Sequence, residues 1–252
     1  MELKFTAKGE VHTLVIPKDM VFRGNLDLSD MGLTKLPDLS AVTVTGNFDC
    51  SYNKLTTLNG APKSVGGNFR CSDNKLLSLD GVPKSVGGDF VCSGNLLTTL
   101  AGATKSVGGN FYCSGNRLTS LRGAPQTVGG YFDCSYNKLK TLCGAPIHIN
   151  RNFYCSANDL IFLKGAPKSV GGNFDCNSNH LITLMGGPQS VGGNFYCYIN
   201  PLISLIGLPE EFCGDFICDN RRLRREYEKI KKVRLAKQMK NKMLNQARIN
   251  SK

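Results

Sequence analysis

The chain has 252 residues, enough for one or two ordinary globular domains, with 41% apolar residues and no Trp. No stretch is long enough to span a bilayer, and the N-terminal MELKFTAKGE has no apolar core of signal-peptide length; both argue for a cytoplasmic protein not secreted by that route. The net charge of +12 is concentrated at one end, because positions 221–252 hold 13 Lys/Arg against 2 Asp/Glu and leave 18 against 17 for everything before them.

In chain order, Leu3 and Phe5, then Val11, Leu14, Val15 and Ile16, flank Lys8-Gly9-Glu10, which predicts a β-hairpin cap over 1–25. A cap is expected because an open solenoid end exposes apolar core and a free strand edge. Leu26, Leu28, Met31, Leu33 and Leu36 read as an atypical first repeat, set one position out of the later spacing. A 21-residue phrase then recurs without insertion, with Phe at 48, 69, 90, 111, 132, 153, 174, 195 and 216. Cys follows two residues after each Phe, Asn five after the first eight, and Leu seven after all nine. A fixed period of this length predicts a solenoid over 26–219, of about nine to ten repeats, in which each unit needs its neighbours to bury its apolar face.

Within a unit, Asn110 to Ser114 alternates polar and apolar like a half-buried strand, with Phe111 and Cys113 inward and Asn110, Tyr112 and Ser114 outward. Stacked strands make a parallel sheet about 40 Å long over nine units. The Asn column that includes Asn116 is read as satisfying the turn backbones. The Gly-Ala-Pro-x-Ser-Val-Gly-Gly segment predicts an extended or turn-like far side with Val inward. Its Gly pairs are read as turns, since no helix follows to make a phosphate cradle. Residues 220–252 contain no Gly or Pro and carry one apolar stripe through Leu223, Tyr227, Ile230, Val233, Ala236, Met239, Met243 and Ala247, which predicts a basic helix. Its first turns are expected to cover the last repeat. Pro209 to Cys213 departs from the repeat, and Arg221 stands where Asn is due.

Chemistry is hard to place on this frame. Nine of the 11 Cys share one inward phase, leaving Cys143 and Cys213 apart, and are read as reduced core thiols. There is no CxxC pair, and His12, His148 and His180 lack ligand or triad spacing, so no metal, cofactor or catalytic residue is assigned and the expectation is a non-enzyme.

The pattern F-x-C-x-x-N-x-L-x-x-L resembles the leucine-rich-repeat consensus, with Phe and Cys in two Leu places. The GAPxSV segment resembles the short repeats of bacterial effector leucine-rich-repeat proteins, and GAPKSVGGNFxCSxNxL resembles those encoded by large tailed bacteriophages. Over residues 26–223 the resemblance implies a right-handed arc with a parallel sheet on its concave face, a mostly non-helical convex face, and a role in binding other proteins. It implies host cytoplasm if the chain is phage-encoded. Some effector relatives carry a ubiquitin-ligase domain after the repeats; here only a short basic stretch follows, and that activity is not supported.

The residue between Phe and Cys varies where the scaffold does not: Asp49, Arg70, Val91, Tyr112, Asp133, Tyr154, Asp175, Tyr196, Ile217. Alternating Tyr and Asp on neighbouring strands puts rings about 10 Å apart with a carboxylate between them. Tyr52, Tyr131, Tyr136 and Tyr198 fall on or beside the same face, and Tyr is enriched at binding hot spots, although it also suits exposed strands. The candidate partner-binding set is Asp49, Tyr52, Arg70, Tyr112, Asp133, Tyr136, Tyr154, Asp175, Tyr196 and Tyr198. With Asp73, Asp89, Asp215 and Asp219 nearby, the face is expected to be acidic and to prefer a basic or amphipathic protein surface. In the tail, Arg221, Arg222, Arg224, Arg225, Lys229, Lys231, Lys232 and Arg234 are the candidate nucleic-acid or partner contacts. The leading expectation is a protein-protein interaction module, possibly binding a host protein; the alternatives are a nucleic-acid-associated protein and a virion structural component.

Overall fold

The computed structural model describes residues 2–7, 10–15 and 20–250. β1 (Glu2–Ala7) and β2 (Glu10–Val15) pair antiparallel, with Glu2 opposite Val15 and Ala7 opposite Glu10. The Lys8-Gly9 part of the expected turn, and Ile16, lie outside the described residues.

From residue 20 onward the chain winds as a parallel-strand solenoid. Its front is one ten-stranded sheet of two-residue strands, from Leu26–Asp27 to Phe216–Ile217, each paired with the strand one repeat away. The register sets Phe on Phe, as in Phe90 against Phe69 and Phe111. Consecutive rings lie 5.1 to 5.9 Å apart and form a continuous column. Rings at this spacing gain edge or offset-stacking contact beyond area burial. Phe48 to Phe195 are wholly buried, as are the Leu pairs from Leu55-Leu58 to Leu181-Leu184. The core is therefore a stack that no single coil could enclose.

The Asn column closes each coil. Asn137 Nδ2 donates to Cys113 O at 3.0 Å and to Cys134 O at 3.1 Å, while its Oδ1 accepts from Leu118 N at 3.0 Å. Each Asn thus ties its own turn to the preceding coil, and the pattern runs from Asn53 to Asn200. The thiols below the Phe column are buried, and several donate weakly to the next strand, as Cys134 Sγ does to Tyr154 O at 3.2 Å. Burial pushes the Cys71, Cys113 and Cys134 thiols well up, so they stay protonated and inert.

The rear is also strand-paired. Ser-Val dipeptides and their equivalents form parallel ladders, with Val107 against Val86 and Val128, and the Val side chains point inward. Front and rear both advance by a β-ladder step of about 4.8 Å, so pairing imposes little difference in length between the faces. The Gly pairs extend this ladder as well as turning the chain: Gly108 N donates to Val86 O, and Gly109 N to Gly88 O. A Cβ on Gly108 would lie 2.1 Å from Gly87 O, which explains the residue type. A second polar column runs beside it, since Asn47, Asn68, Asp89 and Asn110 each accept on Oδ1 from the backbone N–H one coil on. Asn110 and Asp89 therefore serve the scaffold, in addition to standing outward as the alternation implied.

The rear breaks once. Its described strands form a six-stranded sheet ending at Thr127–Val128 and a four-stranded sheet beginning at His148–Ile149. At this seam Asn150-Arg151 replaces the Gly pair, and one coil earlier Tyr131 replaces the ladder Asn. Asn150 carries a Cβ at a phase that most coils fill with Gly, although Cys213 and Thr45 also carry one there and keep their rungs, and Tyr131 has no amide oxygen to accept from Asn152 N–H. Instead the Arg151 guanidinium lies 5.9 Å over the Tyr131 ring. A crevice of about 550 Å³ opens there, lined by residues that include Pro125, Val128, Ile147 and His148.

The C-terminal end is covered by α1 (Arg221–Asn250). Leu223 and Tyr227 are buried, and the Tyr227 ring meets Phe216 at 5.3 Å and Phe212 at 5.7 Å, ending the aromatic column. Two expectations at this end need correction. Glu211–Phe212 does not leave the repeat but pairs with Ser190–Val191 as a rear strand. The Asn role is taken by Asn220 rather than lost at Arg221: its Nδ2 donates to Leu202 O, and its Oδ1 accepts from Arg222 N and Leu223 N as a helix N-cap.

Candidate interaction face

The short strands leave one outward side chain per coil on the front sheet, and their in-phase register stacks those side chains into a row. The pairs Tyr112–Asp133, Asp133–Tyr154, Tyr154–Asp175 and Asp175–Tyr196 are in direct register. All five are half-buried by their neighbours. Tyr154 Oη accepts from Asn152 Nδ2 at 2.5 Å and Tyr196 Oη from Asn194 Nδ2 at 2.8 Å, so both rings are held in place before any partner arrives. Tyr131 stands edge-on to Tyr154 at 6.3 Å and widens the aromatic patch. Burial raises the Tyr112 phenol, reinforced by the Asp89 and Asp133 carboxylates, so it is a neutral donor at physiological pH.

The carboxylates are less free than the sequence implied. Asp49, Asp133 and Asp175 each accept on Oδ1 from the backbone N–H two residues on, at 2.9 Å, and so fasten the end of their own strand. Asp89 belongs to the rear-side column, Asp215 pairs with Lys231 at 3.2 Å, and Asp219 accepts from Ile199 N. Burial pushes the Asp175 carboxyl above the usual range, partly offset by the Asn177 N–H bond. The face is therefore an aromatic row with one open carboxylate oxygen between rings, rather than a broad acidic surface.

Tyr52 and Tyr136 are exposed at the strand ends, with φ of 58° and 55°. Gly94 and Gly115 fill the same position in other coils, and a left-handed Tyr costs roughly 1–2 kcal/mol. Tyr198 lies one residue earlier in its coil and is exposed, and Arg70 takes the Tyr/Asp position on an early strand. In α1, three of the eight candidate cations are engaged with the solenoid: Arg222 Nη2 donates to Ile203 O, Arg234 Nη1 to Pro209 O, and Lys231 pairs with Asp215. Arg221, Arg222, Arg225 and Lys229 share a crevice with Glu226, and Arg224 and Lys232 are exposed. Among the described residues no group of three or more His, Cys, Asp and Glu is placed to hold a metal ion, and no helix is long and apolar enough to cross a membrane.

In-register strands one per repeat, an Asn column bridging coils and Leu rows behind it decide the architecture. It is a leucine-rich-repeat solenoid of the short-repeat type. YopM from Yersinia enterocolitica WA-314 is similar over 77% of this chain and 55% of its own, with 19% identity and a TM-score of 0.37. This chain thus spans about half the length of that structure, and the likeness is too slight to carry an argument about function. No protein-family model matches the chain, and no curated protein sequence matches it.

Sequence reasoning missed two features. The seam had a signal in the paired departures at Tyr131 and Asn150-Arg151, one coil apart. An exposed apolar flank on the last coils was also legible, because Ile161, Ile182 and Ile203 share one repeat phase where earlier coils carry Thr56, Thr98 and Thr119.

Proposed function

We propose that the protein is a non-enzymatic interaction module that binds a protein partner across the Tyr/Asp row of its front sheet. Leucine-rich-repeat solenoids are typical protein-interaction modules, built from an extended rigid face. The supporting observation is the in-register alternation of Tyr112, Asp133, Tyr154, Asp175 and Tyr196, with two of the three rings pinned by Asn side chains. Pinned rings offer large contact area with little ordering cost, and each free carboxylate oxygen accepts a donor between them. Arg70, Asp49, Tyr52, Tyr136 and Tyr198 extend the same surface along and beside the row.

The partner best matched to this row carries donors and apolar groups spaced about 10 Å apart, twice the strand step. Replacing Tyr112, Tyr154 and Tyr196 together by Ala should remove most capture of such a partner, with each hot-spot ring contributing about 2 kcal/mol. Undiminished capture by a variant that keeps the wild-type circular dichroism and denaturation midpoint would place binding elsewhere.

A further inference from the structure

The last three full coils differ from the rest on the flank that leads from the front sheet to the rear. Ile161, Phe162, Ile182, Met185, Ile203 and Ile206 occupy three repeat phases there and are 39 to 61% exposed. The scaffold does not need apolar groups at these phases: Thr56-Thr57, Thr98-Thr99 and Thr119-Ser120 fill the first two in earlier coils, with Leu77 a lone exception. The coils are in lateral contact, since Ile203 N donates to Ile182 O, Leu163 N to Met185 O and Leu184 N to Ile206 O. The six side chains therefore form one patch, of the contiguous kind that marks a contact surface.

Cations border this patch at both ends. Lys140 holds the Ile phase in the preceding coil, and Arg222 hydrogen-bonds the Ile203 carbonyl at 2.7 Å, with Arg221, Arg225 and Lys229 sharing its crevice. A second copy laid antiparallel on the patch would set these cations against each other. The distal part of α1, where Lys237, Lys240 and Lys242 follow with no acidic residue, is equally mismatched as an occupant. An acidic, amphipathic segment is matched at the centre and at both ends.

We propose that this flank binds an acidic amphipathic α-helix of a protein partner, lying along the solenoid axis. The Ile rows repeat about every 4.8 Å and the apolar face of a helix about every 5.4 Å per turn, so three rows meet three turns with little drift. From the Lys140 coil to the start of α1 is about 19 Å, the length of about 13 helical residues. This surface is separate from the Tyr/Asp row, and neither proposal requires the other.

The test is selection of a displayed library of random peptides of about 16 residues on the full chain, followed by anisotropy titration of the enriched peptides. Enriched sequences should be acidic, with apolar residues three and four apart. Their affinity should fall about thirtyfold on the variant combining Ile161→Thr, Ile182→Thr and Ile203→Thr. Thr is the native choice at this phase in other coils, so this variant should fold. Affinity should also weaken with salt and in Arg222→Ala/Arg225→Ala, and stay unchanged when Tyr112, Tyr154 and Tyr196 are Ala. The proposal is overturned if no such peptides are enriched, if the triple Thr variant binds them equally, or if the patch instead carries binding to anionic phosphatidylserine vesicles.

Discussion

The front and rear of this solenoid are built from strands of equal length and equal step, yet one sheet runs unbroken through ten strands and the other splits in two. The difference lies in what each ladder demands of its side chains. On the front, inward Phe and Cys set the spacing and the outward residue is unconstrained, so Asp, Arg, Val, Tyr and Ile all occur without disturbing the register. On the rear, backbone meets backbone closely along the Gly pairs, where a Cβ on Gly108 would lie 2.1 Å from Gly87 O, and the sheet parts at the coil where Tyr131, Asn150 and Arg151 depart from the pattern. Variation is thus freer where the solenoid displays side chains than where backbones touch, where mostly Gly is found.

The largest expected effect follows from breaking the front coil closure, which holds on both sides of the seam. Asn137→Ala would leave the Leu118 N–H unpaired in the core and remove one of the two Asn donors from each of the Cys113 and Cys134 carbonyls, which keep Asn116 Nδ2 and Asn158 Nδ2. A loss of about 3 kcal/mol or more is expected, read as a lower urea midpoint. The next effect comes from making a second seam. Gly108→Asn places a Cβ against the Gly87 carbonyl and should cost about 2 kcal/mol, with amide exchange accelerating at residues 105–110 while the Phe-column amides stay protected.

Closing the native seam is the converse and smaller change. Tyr131→Asn with Asn150→Gly and Arg151→Gly should let the 147–152 amides pair with the preceding coil, as residues 168–173 already do with theirs. A gain of about 1 kcal/mol is expected, held down by the added backbone freedom of two Gly, together with slowed exchange at Ile147 and Asn152. Unchanged exchange there would mean that something other than these three residues holds the rear open.

The smallest effect concerns charge on the front row. The Asp175 carboxyl is raised by burial, so the folded protein binds more protons than the unfolded chain just above the ordinary carboxylate value of 3.8. Stability therefore falls as pH rises through that window and stays lowered at neutral pH. Asp175→Asn, whose Oδ1 can still accept from Asn177 N, should raise neutral-pH stability by less than about 1 kcal/mol. The advantage should vanish below about pH 3.8, where both chains carry a neutral group. Comparison of thermal unfolding at neutral pH with that in acid below this value measures it.

Much of this was legible in the residues. The 21-residue period, Phe and Cys inward, the Asn column closing turns, the basic helix and the extended far side all follow from side-chain type repeated in phase, because a solenoid shows each neighbour relation many times over. The candidate row at Tyr112, Tyr154 and Tyr196 was legible for the same reason, as the variable position within a fixed frame. The second role of Asp49, Asp133 and Asp175 was not, since a carboxylate that fastens its own strand end and one that faces solvent look alike in sequence. Asn220 escaped notice because it lies one residue out of phase, where the chain turns from coil into helix.

The sequence by itself determined that the chain must stack, what fills the stack, and which strand position is free to vary. Only the tertiary structure decided that the rear is a second set of ladders, where it parts, and which polar residues are already engaged. The physical reason is distance: periodicity reports which side chains share an environment, whereas a Cβ 2.1 Å from a neighbouring carbonyl is a relation between coils that no single position encodes.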